Sequence, residues 1–505
     1  MKESELYYRS TRGDAGHIPS AEAMINGMAS DGGLFVPSFI PEIGMAFSGL
    51  SDMDYKSLAC YVIEKFLPDF SAEQIRQCVD NAYDKKFDTG LIAPVVKSGD
   101  TFFLELYHGA TAAFKDMALS ILPHLLTASA RKTGLEKEIV ILTATSGDTG
   151  KAALDSFSDV KGTKIIVFYP KQGVSLIQER QMVTQEGKNT FVCSIEGNFD
   201  DAQTGVKKIF NDRKFNELLK EKNLVFSSAN SINIGRLIPQ IAYYIYAYLQ
   251  LLRMNEVEEG EDINLVVPTG NFGNILAAYY ASLMGLPVQR LICASNENNV
   301  LYDFINTGVY DRKRQLKMTM SPSMDILVSS NLERLVYDLC EQDPAVINSL
   351  YKDFSEKGVF QITDEMKEKL NDFWAGFATE EQTIEAIRDS FKKNNYLIDT
   401  HTAVGYHVYR EYREITSDRV KTVIASTASP FKFPRSVIRA ISRNDAEYEQ
   451  DYKNLDEFAL LEKLSELTGV EIPWPLRGIG SKKVLHNNFC RVDKMKDFVS
   501  DALGI

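Results

Sequence analysis

Cysteine is scarce and scattered in this chain. The six residues, at 60, 78, 193, 293, 340 and 490, form no C-x-x-C pair. That argues against a zinc ribbon and against a disulfide framework, and free thiols point to a reducing compartment. Long apolar runs are missing too: no window approaches the ~18 uninterrupted apolar residues of a membrane-spanning helix. The richest stretch, LIPQIAYYIYAYLQLL at 237–252, contains Pro239 and Gln240 and lies between Arg236 and Arg253, as befits a helix buried in a large core. The opening MKESELYYRSTRGDAG has no apolar segment of the kind a secretory signal needs, so a cytoplasmic location is expected. Nor is there a basic excess. The 56 Lys and Arg residues face 69 Asp and Glu, for a net charge of −13, which argues against a nucleic-acid partner. An anionic ligand must then be held by local devices, not by the overall field. No tandem repeat or low-complexity segment is present.

What remains is an ordinary globular composition: 505 residues, 44% apolar and 25% charged, enough for about two to four domains. Residues 1–95 read as a mostly helical region with turns at SDGGLFVP (30–37). Beyond about 96, short β-branched runs alternate with amphipathic helices. Strands are expected at 138–145, 164–170 and 189–197, with helices at 148–158, 175–187 and 198–211, the last capped by Asn198. INLVVPTG, QRLICASN and KTVIASTA are further strands followed by helical spacing. The alternation predicts an α/β fold of parallel sheets with helices on both faces. Residues 96–138 and 227–440 are expected to form a large domain, 139–226 a small mobile one, 300–395 a helical insertion, and 441–505 a helical tail.

Several junctions carry chemistry. In YHGATAAFKDMAL (107–119), Lys115 follows small residues and an aromatic at a helix start. A helix N-terminus repels a cation, and burial behind Phe114 would lower the ammonium pKa, a setting that suits a nucleophilic amine. The alternative is a surface lysine paired with Asp116. PTGNFGN (268–274), between a strand and a helix, suits a phosphate cradle: backbone N–H groups point outward and glycines let the ligand approach. The alternative is a tight turn with an Asn cap. TATSGDTGKAA (143–153) imitates a P-loop but has Thr145 where the first glycine is required. Its Asp-Thr-Gly, repeated in FDTGL (87–91), raises an aspartic protease, but the α/β pattern opposes that reading, and Asp148 can serve as a helix N-cap. SANSINIGRLIPQ (228–240) places Ser231, Asn233 and Arg236 at a helix start, where a guanidinium can grip a phosphate or carboxylate through two bonds. His401 in LIDTHTAVG stands just before a helix and suits a local hydrogen bond as well as catalysis. IASTASPFKFP (424–434) ends a strand with Ser426 and Thr427, at the carboxyl edge where open α/β sheets bind ligands.

Together these segments resemble pyridoxal-phosphate enzymes of the tryptophan-synthase-β type (fold type II). Among them they are most similar to the threonine synthase family in its longer fungal and bacterial form. The resemblance runs nearly end to end through YYRSTRG, DGGLFVP, HGATAAFKD, SGDTGKAAL, GNFDDAQ, NSINIGRLIPQ, PTGNFGN, DTHTAVG and STASPFKFP. It implies that Lys115 carries pyridoxal 5'-phosphate as a Schiff base. It also implies that Gly270, Asn271, Phe272, Gly273 and Asn274 hold the cofactor phosphate, that Thr427 bonds the pyridine nitrogen, and that Asp148 occupies the position approaching the cofactor 3'-oxygen, where many relatives have Asn. Thr145, Ser146, Thr149, Ser231, Asn271 and Arg236 match positions that grip the substrate's phosphate and carboxylate. Two departures stand out: Ala110 where relatives often carry Pro, and Ser429 where many carry His. The implied reaction is a lyase chemistry of threonine biosynthesis: O-phospho-L-homoserine and water give L-threonine and phosphate, in a monomer or homodimer without metal, membrane or nucleic acid. The alternative is a phospho-lyase giving 2-oxobutyrate and phosphate.

Overall fold

The computed structural model describes residues 6–13, 16–145 and 147–505. Two sheets organise it. The larger has six strands in the order Phe373–Phe377, Val288–Ser295, Ile263–Pro268, Thr422–Ser426, Thr101–Glu105, Val95–Ser98. The first five run parallel; the edge strand Val95–Ser98 turns back antiparallel. Every residue of Ile263–Pro268 and of Thr422–Ser426 is buried. A parallel strand covered on both faces needs a continuous apolar run rather than an alternating one, and INLVVP and TVIAS supply it.

The smaller sheet is parallel throughout, in the order Asn488–Arg491, Thr190–Glu196, Thr163–Pro170, Glu138–Ala144, Leu224–Ser227. Its helices begin where the sequence places them. Helix Phe199–Phe210 opens on a capping box in which the Asn198 side chain accepts from Asp201 N–H and Asp201 accepts from Asn198 N–H, satisfying two backbone donors that a helix start leaves free.

Two expectations need revision. The tail is not purely helical: Asn488–Arg491 pairs with Thr190–Glu196 as the edge of the smaller sheet, and helix Met495–Leu503 packs Met495, Val499 and Leu503 into that sheet's core. The pattern is faint because the strand is short and exposed along most of its length, so it lacks the apolar run that betrays a buried strand. The region 300–395 is not a separate helical insertion either. It returns Phe373–Phe377 to the larger sheet and contains a two-stranded ribbon, Val309–Asp311 with Val359–Gln361. At the other end of the chain, the DGGLFVP turn includes strand Phe35–Pro37, paired with Tyr8–Ser10.

The long apolar stretch is helix Ile234–Arg253, buried from Ile234 through Leu251. It lies in the main core with the N-terminal helices and the larger sheet's apolar face, not in a membrane. Among the described residues no helix is long and apolar enough to cross one.

Candidate active site

Five loops that leave the carboxyl ends of parallel strands supply the site. Thr101–Glu105 leads to Lys115, Ile263–Pro268 to the 269–274 loop, and Thr422–Ser426 to Thr427. Glu138–Ala144 leads to Asp148, and Leu224–Ser227 to Ser231 and Arg236. Strand termini far apart in sequence thus aim side chains at one crevice.

The lysine segment is fixed by the neighbouring strand end. Phe114 N–H donates to Thr427 O at 2.8 Å and Ser429 N–H to Ala112 O at 3.0 Å, around an antiparallel bridge between Ala113 and Ala428. Ala112 accepts a left-handed φ of 56° to make this turn. Lys115 is not a surface lysine, and Asp116 is not its partner. The buried Asp116 carboxylate accepts from Thr111 N–H (2.8 Å) and Thr111 Oγ1 (2.6 Å), and burial pushes its pKa up to about 6 against those two bonds. The Lys115 side chain is 12% exposed and its Nζ lies 4.0 Å from Asp148 Oδ2, 3.3 Å from Ser323 Oγ and 5.0 Å over the Phe114 ring. Burial lowers its pKa to about 8; the Asp148 charge opposes that shift, while those of Lys432 and Arg236 add to it. A useful fraction of the amine is therefore uncharged near neutrality.

The 269–274 loop combines close approach with orphaned donors. Gly270 has no room for a side chain: a Cβ there would stand 2.7 Å from Ser323 O. Phe272 is buried in the left-handed region at φ 63°, a conformation that costs a non-glycine residue on the order of 1–2 kcal/mol, and helix Gly273–Leu283 begins directly after it, its first N–H groups without intrahelical partners. Asn274 Oδ1 accepts from Tyr243 OH and, at 2.6 Å, from Tyr244 OH. That anchors the amide with Nδ2 buried and without a partner. Asn271 is exposed, and its carbonyl accepts from Asn331 N–H and Nδ2. Gly270 O accepts from Ser329 Oγ at 2.7 Å.

Asp148 is no N-cap. Gly147 occupies that position, without a side-chain cap, and Asp148 is the first helical residue. Its carboxylate is divided: Oδ1 lies 2.6 Å from Lys432 Nζ and accepts from Gln178 Nε2 at 2.9 Å, while Oδ2 faces Ser323 Oγ at 3.5 Å and Lys115. Burial alone would raise its pKa, but the charges of Lys432 and Lys115 outweigh burial and hold it well below the usual carboxylate range. The other Asp-Thr-Gly aspartate, Asp88, pairs with His108 Nδ1 at 2.6 Å. The two aspartates share no proton, which removes the protease reading.

Arg236 is 4% exposed. Its Nη1 donates to Ala229 O at 3.0 Å, its Nε is buried without a partner, and burial lowers its pKa to about 10. Among the described residues no carboxylate pairs with it, so this is a desolvated cation awaiting an anion. Thr145 behaves otherwise: its hydroxyl accepts from Gly147 N–H (3.0 Å) and Gly150 N–H (2.9 Å) and donates to Gly147 O, so it holds the loop together. Thr149 is half-buried; Ser231 Oγ donates to Asn230 Oδ1 at 3.2 Å. Ser146 lies outside the described residues.

Sequence reasoning missed three partners. Lys432 sits in S-P-F-K-F just past a strand end, the same Phe-Lys signal that marked Lys115. The Ser429 side chain accepts from Phe431 N–H and caps the short helix Pro430–Lys432 that presents it. Ser323 arrives on the 319–331 loop from the 300–395 region; its N–H donates to His401 Nε2 at 3.1 Å, and His401 Nδ1 meets the buried Asp399 at 2.8 Å. His401 thus makes local hydrogen bonds that support a loop touching Lys115. Gln178 had no signal at all. Among the described residues no group of three or more His, Cys, Asp or Glu is placed to hold a metal ion.

These groups fit pyridoxal phosphate. A desolvated lysine amine suits its aldehyde, and the unpartnered Asn274 amide and open helix start suit its phosphate. The buried Thr427 hydroxyl stands at the same strand end. The comparisons agree: a family model described as "Pyridoxal-phosphate dependent enzyme" matches residues 96–426, which makes this a fold-type-II pyridoxal-phosphate enzyme. Models described as "Threonine synthase N terminus" and "Threonine synthase, C-terminal" match residues 7–83 and 402–471. Human threonine synthase-like 1 is 40% identical, covering 83% of this chain, and the chain spans only 58% of that relative's length. Threonine synthase of Schizosaccharomyces pombe is 36% identical, over 87% of this chain and 90% of the relative. The PLP-bound crystal structure of threonine synthase from Brucella melitensis superposes with a TM-score of 0.86 at 32% identity, covering 99% of this chain and all of that one. The chain belongs to the threonine synthase family.

Proposed function

We propose that this protein converts O-phospho-L-homoserine and water to L-threonine and phosphate. The observation that carries the reading is Arg236, a buried guanidinium with an unpartnered Nε whose charge is felt at a lysine amine poised near neutrality. The substrate supplies what this pairing lacks: a phosphate for the guanidinium and an amine to exchange with Lys115.

When bound, pyridoxal phosphate supplies an electron sink for carbanions formed at the substrate Cα and Cβ. The protein's part is to bind, orient and move protons. Lys115 would hold the cofactor until the substrate amine takes its place, and its free Nζ would then take the Cα proton and later return one. Asn274 Nδ2, buried without a partner, and the N–H groups at the start of helix Gly273–Leu283 would hold the cofactor phosphate. Thr427 would meet the ring nitrogen; a hydroxyl, unlike a carboxylate, would not force that nitrogen to stay protonated. Arg236, with Thr149, Ser231 and the exposed side chain of Asn271, binds the substrate phosphate and strengthens its hold as phosphate leaves Cγ. A second proton leaves Cβ as phosphate departs, Cγ gains a proton to become the methyl group, and water then adds its hydroxyl at Cβ, its remaining proton balancing the released phosphate. The 139–226 segment closes over the crevice to exclude further water. The reading includes a cytoplasmic location and action on a free small molecule as a monomer or homodimer.

The test is incubation of the cofactor-loaded protein with O-phospho-L-homoserine, reading phosphate, threonine and 2-oxobutyrate together. Threonine and phosphate in equal amounts are expected. Phosphate with 2-oxobutyrate and no threonine would assign the phospho-lyase outcome instead, a distinction that matters because a relative at 40% identity is named threonine synthase-like 1 rather than threonine synthase.

A further inference from the structure

Lys432 is fully buried, and its ammonium has three acceptors for three protons: Asp148 Oδ1 at 2.6 Å, Thr111 O at 3.0 Å and Gln181 Oε1 at 3.1 Å. The reaction proposed above gives it no task. Its position is nonetheless specific. It stands on the short helix beyond strand Thr422–Ser426 of the larger sheet, while Asp148 and Gln181 belong to helices beside the smaller one. The two catalytic-side lysines share a single aspartate unequally: Lys432 is in contact with Oδ1, and Lys115 stays at 4.0 Å from Oδ2.

A lone buried carboxylate at the edge of this crevice would close on the nearest ammonium, Lys115, and hold it charged. We infer that Lys432 is a second lysine of the active site, a positioning residue that binds Asp148 by one oxygen and neutralises it, so that the other oxygen stays 4.0 Å from the Lys115 amine, at the outer limit of an ion pair. The net-neutral pair is a polar group without net charge, which approaches a phenolic oxygen without repelling it. Gln178 and Gln181, both buried, complete the arrangement, one on each member of the pair. The charged groups felt at Lys115 are Asp148, Lys432, Arg236 and Asp116; His401 reaches it only through Ser323. Of these, Lys432 alone is in contact with Asp148.

The inference rests on Lys115 carrying pyridoxal phosphate, but not on which product is released, and its test is chosen accordingly. The visible absorbance of the bound cofactor is titrated with pH in the full-length holoenzyme, and the midpoint is compared among Lys432→Met, Asp148→Asn and the double variant. Lys432→Met leaves Asp148 uncompensated and should move the midpoint up by about one pH unit or more. Asp148→Asn leaves Lys432 uncompensated and should move it down. The double variant, neutral again, should return close to the parent, and Lys432→Arg should restore part of the shift. An unchanged midpoint in folded Lys432→Met overturns the inference. Should that variant fail to fold because its buried carboxylate lacks a counterion, Asp148→Asn and the double variant decide: identical midpoints mean that the Lys432 charge is not felt at Lys115. A holoenzyme with these shifts but no threonine would fault the proposed reaction and leave Lys432's role standing.

Discussion

The amine of Lys115 lies 3.3 Å from the hydroxyl of Ser323, a residue 208 positions further along the chain. The contact exists because the 319–331 loop folds back over the 269–274 cradle, pinned by Ser329 on Gly270 and by Asn331 on Asn271. The 300–395 region thereby delivers part of the active site. Ser323→Ala removes one orienting bond while keeping the backbone link to His401. A hydrogen bond to a charged group is worth about 1.5–3 kcal/mol, so turnover should fall roughly tenfold or more with little change in melting temperature. Equal losses in both would mean that the serine only holds the loop.

Gly270→Ala tests the cradle from the other side. The new Cβ meets backbone, Ser323 O at 2.7 Å, which cannot rotate away as a side-chain tip could. Overpacking of this kind costs about 1–3 kcal/mol, so cofactor affinity, measured by equilibrium dialysis, should weaken roughly 5- to 100-fold. Undiminished affinity would show that the loop yields at no cost.

Arg236→Met keeps the volume and deletes the charge. Among the described residues the buried guanidinium has no carboxylate to abandon, so the fold should tolerate the change or gain slightly from it. Loss of a charge-assisted pair, about 1.5–3 kcal/mol, should lower kcat/KM for O-phospho-L-homoserine by roughly 10- to 100-fold while the bound-cofactor spectrum persists. If the cofactor is lost instead, Arg236 belongs to its phosphate rather than to the substrate's.

His108 sets a pH limit on stability. Burial alone would lower its pKa, but the bonds to Asp88 and Glu105 outweigh burial and raise it to about 9. Because the folded-state value lies above the unfolded one, the contribution is complete below about pH 6.5 and is lost as pH rises through about 9. Allowing for solvent at the part-exposed Asp88, it is on the order of 1–2 kcal/mol. Denaturant unfolding from pH 6 to pH 10 should show that decline in the parent and a flatter profile in His108→Gln. Parallel profiles would mean that the triad contributes nothing.

Asn198→Ala removes the capping box of helix Phe199–Phe210. A cost of about 1 kcal/mol is expected, read as a lower denaturation midpoint with unchanged kcat. A loss of activity without loss of stability would place that helix in the catalytic cycle.

The parallel strands and the helices between them were legible because a strand buried on both faces must be apolar throughout. Cap residues were legible because the need of a helix start is local, as Asn198 shows. Lys115, the 269–274 loop and Arg236 were legible because each sits at a strand–loop–helix junction. The edge strand Asn488–Arg491 was not: it is short, mostly exposed, and its partner lies nearly three hundred residues away. Ser323 and Gln178 were not, because they owe their places to the path of a long loop and the packing of a second helix.

The amino-acid sequence by itself determined most of the strands and helices, since these follow from local periodicity and caps, and it marked Lys115 and the 269–274 loop as junctions with two readings each. Only the tertiary structure decided the electrostatic partners. Asp148 could have capped its helix or stood alone; it is shared between Lys432 and Lys115 because strand ends from two different sheets meet there. A charge buried at such a meeting point answers to groups brought close through space, and no local pattern records them.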